Sequence, residues 1–216
     1  ESRLLTAPSE NRLDFVLEGG SIESDGVDTI MTTSHCLMAP NRNATRTQRE
    51  IERYLKDALG ANHVLWLDNG ALAGDDTDSH VDTLARLAPN DTIIYTGCDD
   101  SSDEHYDTLA IMADQLRGFR TLDGRPYNLI GLPLPDAIYD PDGERLPATY
   151  ANYLVSDTFV IVPSYGQPRK DELARQMLRI SFPDHDVRQV DCRALIRQHG
   201  SLHCATMQLY PSTLSI

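Results

Sequence analysis

The stretch Thr47–Leu67, TQREIERYLKDALGANHVLWL, decides the architecture. Ile51, Tyr54, Leu55 and Leu59 recur at helical spacing, Thr47 suits an N-cap with Glu50 three residues on, and Gly60 suits a stop, so a helix spans 47–59. His63–Leu67 then returns as a strand. Upstream, Asp14–Leu17 and Asp28–Thr33 read as short strands around the turn-rich EGGSIESDG, whose glycines permit backbone angles that other residues avoid. The unit is strand, strand, helix, strand. It recurs as strands over 81–87 and 92–96, a helix near 106–116 and a strand over 127–132. A third copy has strands over 150–156 and 159–163, a helix over 170–180 and a strand over 187–190. Three modules at about 14–67, 80–134 and 150–216, sharing pattern rather than sequence, predict an α+β fold of stacked or radially arranged units in one domain over 1–216. The alternative is an α/β sandwich whose order happens to repeat. Each helix must bury its apolar face on its sheet, which leaves the opposite rim to loops. On this reading Leu17–Gly20, Asp75–Asp82 and Gly200–Ala205 face one cavity.

The 216 residues carry a formal charge of -14, with 40% hydrophobic and 24% charged residues, an ordinary balance for a globular protein. That charge, without a clustered Lys/Arg surface, argues against nucleic acid as a partner and either draws in a small cation or serves simple solubility. No apolar run approaches the roughly 20 residues needed to span a bilayer. Cys36, Cys98, Cys192 and Cys204 are widely spaced with no CxxC pair, so neither a zinc ribbon nor a disulfide framework is suggested; reduced thiols in a cytoplasm fit better.

Three places can carry chemistry. GDDTDSHVD, residues 74–82, sets Asp75, Asp76, Asp78 and Asp82 around His80, a charge density that calls for a cation, metal or water unless it is only a solvated acidic loop. HGSLHCATMQ, residues 199–208, offers Cys204 after His203, where an adjacent imidazolium or an amide dipole would favour thiolate; a small buried hydrophobe is the bland alternative. Glu18, beside Gly19 and Gly20, suits an anchor for a cation or a proton-transfer group, or a turn residue. Asn41 and Arg42 read as loop chemistry. Cys36, Cys98 and Cys192 read as buried hydrophobes, and His35, His63, His105, His185 and His199 as structural or exposed.

Taken in order, LEGGSIESDG, LMAPNRN with the helix after it, GDDTDSHVD and GSLHCATMQ resemble the agmatine deiminase and bacterial-type peptidylarginine deiminase family of the guanidine-modifying pentein superfamily. PSYGQPRKDELARQML and VDCRAL resemble its last module. The resemblance implies a propeller of five ββαβ modules, of which about three are present here. It also implies hydrolysis of a guanidinium, agmatine first among candidates, to a ureido product and ammonia, without metal or organic cofactor. Glu18, His80, Asp82 and Cys204 match the family's catalytic positions; Asp82 and Glu18 would grip the guanidinium, with Asp76 and Thr77 near the substrate. Asp76 stands where agmatine-specific members have Glu, which bears on recognition of the agmatine amine. About two upstream modules, including a further substrate-gripping Asp, have no counterpart in these residues, so an upstream segment or self-association would complete the ring. Rival readings are a peptidylarginine deiminase, a cysteine hydrolase and a non-catalytic scaffold.

Overall fold

The computed structural model describes residues 12–209. They form three sheets of three strands: β1 (Ile22–Ser24), β2 (Thr29–Thr33) and β3 (His63–Leu67); β4 (Ala85–Ala88), β5 (Thr92–Thr96) and β6 (Asn128–Leu132); β7 (Leu154–Val155), β8 (Phe159–Ser164) and β9 (Asp186–Asp191). In each sheet the first two strands pair antiparallel and the last two parallel. A parallel pair needs a crossover, and helices supply it. A short α1 (Ser34–Leu37) precedes α2 (Gln48–Leu59) in the first module, α3 (Tyr106–Gly118) serves the second and α4 (Pro168–Ser181) the third. The fold is α+β, built from three ββαβ modules.

Local chemistry explains these elements. The Asp25 carboxylate accepts the N–H groups of Val27, Asp28 and Thr29 and turns β1 into β2. At α2, Thr47 and Glu50 form a reciprocal capping box and Gly60 closes the helix at φ 73°. Ile51 and Leu55 enter the core with Phe15, Cys36 and Leu37. The second module packs Leu109, Met112 and Leu116 of α3 on Leu84, Leu87 and Ile93; the third packs Ala174 and Leu178 on Val160, Val162 and Tyr153. Among the described residues no helix is long and apolar enough to cross a membrane.

Three expected strands differ, and for related reasons. Asp14–Leu17 is no strand: Asn43 clamps Val16 from both sides, its Oδ1 accepting the Val16 N–H and its Nδ2 donating to the Val16 carbonyl. Val81–Thr83 is a tight 3-10 turn, and the strand begins only at Ala85. The buried run from Tyr150 shrinks to Leu154–Val155, because the backbone before it bonds elsewhere: the carbonyls of Ala151 and Tyr153 accept from Arg86 and that of Asn152 from the His203 N–H. Buried apolar runs look alike whether they pair in a ladder or line a site. Replacing Thr47 by Ala should cost about 0.5–2 kcal/mol of stability by opening the capping box. Urea unfolding checks this, and an unchanged midpoint would contradict it.

Candidate active site

The side chains singled out from sequence enter the centre from matching places. Glu18 lies just before β1, His80 and Asp82 just before β4, and Cys204 in a 3-10 turn, His203–Ala205, after β9. Glu18 Oε2 is 3.2 Å from His80 Nε2. A Cβ on Gly20 would lie 2.6 Å from His80 Nδ1 and 2.9 Å from Asp82 Oδ2. Asp82 Oδ2 lies 3.8 Å from Cys204 Sγ. Glu18 thus contacts His80 and Asp82 contacts the thiol, and Gly20, packed against His80 and Asp82 alike, is required so that the first module can press on both side chains. Gly200 plays the same part at the thiol, its missing Cβ leaving 3.0 Å to that of Cys204.

Asn152, which sequence reasoning passed over, is wholly buried at this centre. Its Oδ1 accepts the His203 N–H at 2.8 Å, and its Nδ2 donates to Cys204 Sγ at 3.3 Å. The signal was an amide inside the otherwise apolar TYANYLV, a group that must find partners when buried. Asp82 is also fully buried. His203 Nδ1 meets its Oδ2 at 2.7 Å, while Oδ1 has no hydrogen-bond partner. The imidazole before Cys204 thus addresses the carboxylate rather than the sulfur. Cys204 is exposed on one side, yet the protein packed around its sulfur and the nearby Asp82 charge both push the thiol pKa up. This corrects the expectation of a thiolate favoured by its neighbour.

The acidic loop supplies its own counter-charges. Arg42 grips Glu18 at two points, Nε to Oε2 at 2.6 Å and Nη2 to Oε1 at 3.1 Å, and also reaches Asp78 and the Thr77 carbonyl. Burial would raise the Glu18 carboxyl, but hydrogen bonds from Arg42 and His80 outweigh it and hold the pKa below the ordinary carboxylate value. Arg42 is therefore part of the site rather than loop chemistry. Asp75 takes the N–H groups of Thr77 and Ser79 and the Thr77 hydroxyl. Asp78 and Ser79 adopt φ of 60° and 64°, left-handed values that aim His80 inward at a conformational cost. Thr77 spends its hydroxyl within the loop, also accepting the His80 N–H, and Asp76 stands exposed. Neither shares the contacts that join Glu18, His80, Asp82 and Cys204.

Behind the loop, Ala73 donates its N–H to His105 Nε2, so His105 Nδ1 donates to Asp103, which Arg145 clamps at both oxygens. His199 Nδ1 sits 2.8 Å from the Gly74 carbonyl and ties the Cys204 segment to the same loop. Glu18, Cys36 and His80 place ligand-type atoms within 4.8 Å of one another. The Arg42 guanidinium already lies on both Glu18 oxygens, a fixed positive charge that a metal ion there would have to meet. A cleft of about 410 Å³ beside α3, lined in part by Tyr95, Cys98 and Tyr106, contains none of the expected site residues.

Comparison with known proteins accords with this geometry. Residues 2–210 match the family of Porphyromonas-type peptidyl-arginine deiminases. Agmatine deiminase from Pseudomonas aeruginosa is 35% identical over 212 residues, which cover 90% of this chain and 57% of that protein. A Porphyromonas gingivalis structure, provisionally named an arginine deiminase, superposes with a TM-score of 0.90 at 49% identity over 95% of this chain and 60% of that one. The C. jejuni agmatine deiminase structure gives 0.80 at 39% identity, over 89% and 55%. The shared architecture is the pentein-type α/β propeller, and the chain spans a little over half the length of these relatives. On the extent of these matches, the chain belongs to the Porphyromonas-type peptidyl-arginine deiminase family.

Proposed function

We propose that the protein is a guanidine deiminase, converting agmatine to N-carbamoylputrescine and ammonia through a covalent bond to Cys204. The observation that carries this reading is the buried Asp82 carboxylate, which touches the thiol with one oxygen and leaves the other without a partner. An unsatisfied buried carboxylate oxygen is costly, and a planar cation bearing N–H groups is the ligand that relieves it. Bound there, a guanidinium would present its central carbon to the sulfur. It would also offset the Asp82 charge that raises the thiol pKa, so substrate binding itself would favour thiolate.

The steps then balance. As Cys204 passes its thiol proton to His80, the sulfur bonds to the guanidinium carbon and gives a tetrahedral adduct. A C–N bond breaks as His80 passes a proton to the departing nitrogen, which leaves as ammonia. His80 next takes a proton from water, the resulting hydroxide adds to the thiouronium carbon, and the C–S bond breaks to release the ureido product and the thiol. Asn152 Nδ2 steadies the sulfur. With both oxygens on Arg42 and one beside His80, Glu18 serves to hold and charge-balance His80 more than to grip substrate. Agmatine is favoured over peptidylarginine because relatives such as the Pseudomonas protein carry that activity in their names. The acidic balance of the chain suits a cationic substrate. The three modules act as one unit here, since each supplies part of the centre.

In the full-length protein, ammonia release from agmatine should exceed that from a blocked arginine ester. The reverse order would transfer the assignment to peptidylarginine, and cleavage of an amide without ammonia would remove it. Cys204→Ala and His80→Ala should each lower kcat by at least about 10²-fold; turnover retained by either sinks the roles given. Because the free thiol is shifted upward, alkylation of Cys204 by iodoacetamide should be slow at pH 7 and gather speed only above the ordinary thiol range. A rate already maximal at neutral pH would contradict this. Gly20→Ala, which drives a methyl against His80 and Asp82, should abolish ammonia release while secondary structure seen by circular dichroism survives.

A further inference from the structure

Beneath the site runs a buried chain of hydroxyl groups with no part in the steps above. The Tyr165 hydroxyl donates to the Thr149 carbonyl at 2.8 Å, accepts the Thr149 N–H at 3.2 Å and meets Ser201 Oγ at 2.8 Å. A phenol has one proton and two lone pairs, so with its proton on Thr149 the Ser201 hydroxyl must be the donor. Thr149 Oγ1 accepts the Ala151 N–H and lies 2.7 Å from Thr96 Oγ1, and both threonine hydroxyls reach the Thr83 carbonyl, at 3.1 and 3.0 Å. All five residues are 6% exposed or less.

The sequence positions give this chain its meaning. Ser201 lies three residues before Cys204, Thr149 three before Asn152, and Thr83 directly follows Asp82. Nucleophile, amide donor and carboxylate thus hang from one hydrogen-bonded line that crosses from the second module to the third. Core packing alone would be served as well by Phe, Val and Ala. A buried hydroxyl is retained at a desolvation cost that only a directional bond returns.

We propose that Tyr165, with Ser201 and Thr149, is a positioning residue for the reaction: its hydroxyl sets the distance between Cys204 and the Asn152–Asp82 pair. The inference rests on the deiminase reading for its kinetic consequence but not for its geometric one. Misplacing a reacting group by about 1 Å can cost 10²-fold in rate. Loss of a hydroxyl that fixes two segments should therefore appear in kcat rather than in KM.

The test uses Tyr165→Phe, Ser201→Ala, their double variant and Ser201→Thr in the full-length protein. Two readouts are taken: kcat and KM for ammonia release from agmatine, and the pH profile of Cys204 alkylation by iodoacetamide. Tyr165→Phe and Ser201→Ala should each lower kcat about 10–100-fold with KM little changed, and the double variant should be no worse than the poorer single one. Ser201→Thr, which keeps the hydroxyl, should recover most of the rate. Both hydroxyl deletions should also move the alkylation profile toward that of an ordinary thiol, as the sulfur leaves its packed place beside Asp82. That readout needs no turnover, so a wild-type protein without deiminase activity would sink the proposed function and still leave the positioning role decided. An unchanged alkylation profile in both single variants overturns the proposal, as do additive losses in the double variant. If Tyr165→Phe fails to fold, the Ser201 pair decides alone.

Discussion

Arg86 is the buried charge on which the arrangement of modules depends. It extends from β4, the first strand of the second module, with only 4% of its surface exposed. Nε meets Glu23 Oε2 on β1 at 2.6 Å, Nη1 donates to the carbonyls of Ala151 and Tyr153 ahead of β7, and the guanidinium lies 4.7 Å from the centre of the Tyr153 ring. A planar group with five donors is suited to holding three partners at fixed angles. The ion pair need not add net stability, because desolvating both charges offsets their attraction. What it does in this arrangement is join all three modules, since Glu23 of the first and the carbonyls of the third both meet a guanidinium carried by the second.

The site follows from that junction. The residues just ahead of the first strand of each module meet: Glu18 and Gly20 ahead of β1, His80 and Asp82 ahead of β4, Asn152 ahead of β7. Cys204 reaches the same place from the far end of the third module, held by the Asn152 side chain and by His199 on the Gly74 carbonyl. Backbone geometry bends where chemistry needs it. Left-handed angles at Asp78 and Ser79 precede His80, and 3-10 turns begin beside Glu18 and at Val81. Such departures persist only because surrounding bonds over-determine them.

What could be read from sequence divides along the same line. The helices and most parallel strands were legible, because capping at Thr47, the stop at Gly60 and apolar spacing act locally. The strands expected over 81–87 and 150–156 were too long where a buried run lines the centre instead of pairing, and that over 14–17 was wrong because Asn43 takes the Val16 backbone groups. Local pattern and global role disagree most often at functional places. Glu18, His80, Asp82 and Cys204 could be named because their residue types are chemically suggestive and their motifs resemble a family. Asn152 and Arg42 could not, since an amide among tyrosines and an arginine in a loop acquire significance only from partners 52 and 24 residues away. Asp76 and Thr77 drew attention through the family resemblance; Thr77 accepts the His80 N–H inside the tight loop, while Asp76 stands exposed.

The contact between Cys204 and Asp82 joins residues 122 apart, and that between His199 and Gly74 joins residues 125 apart. Closing such long intervals carries an entropic penalty that shorter ones avoid, which sets these contacts against forming early as the polypeptide condenses. A molecule caught midway, with its helices and hairpins in place, would hold the sulfhydryl and the acid apart from each other. The closed centre is consequently a late reporter of correct assembly.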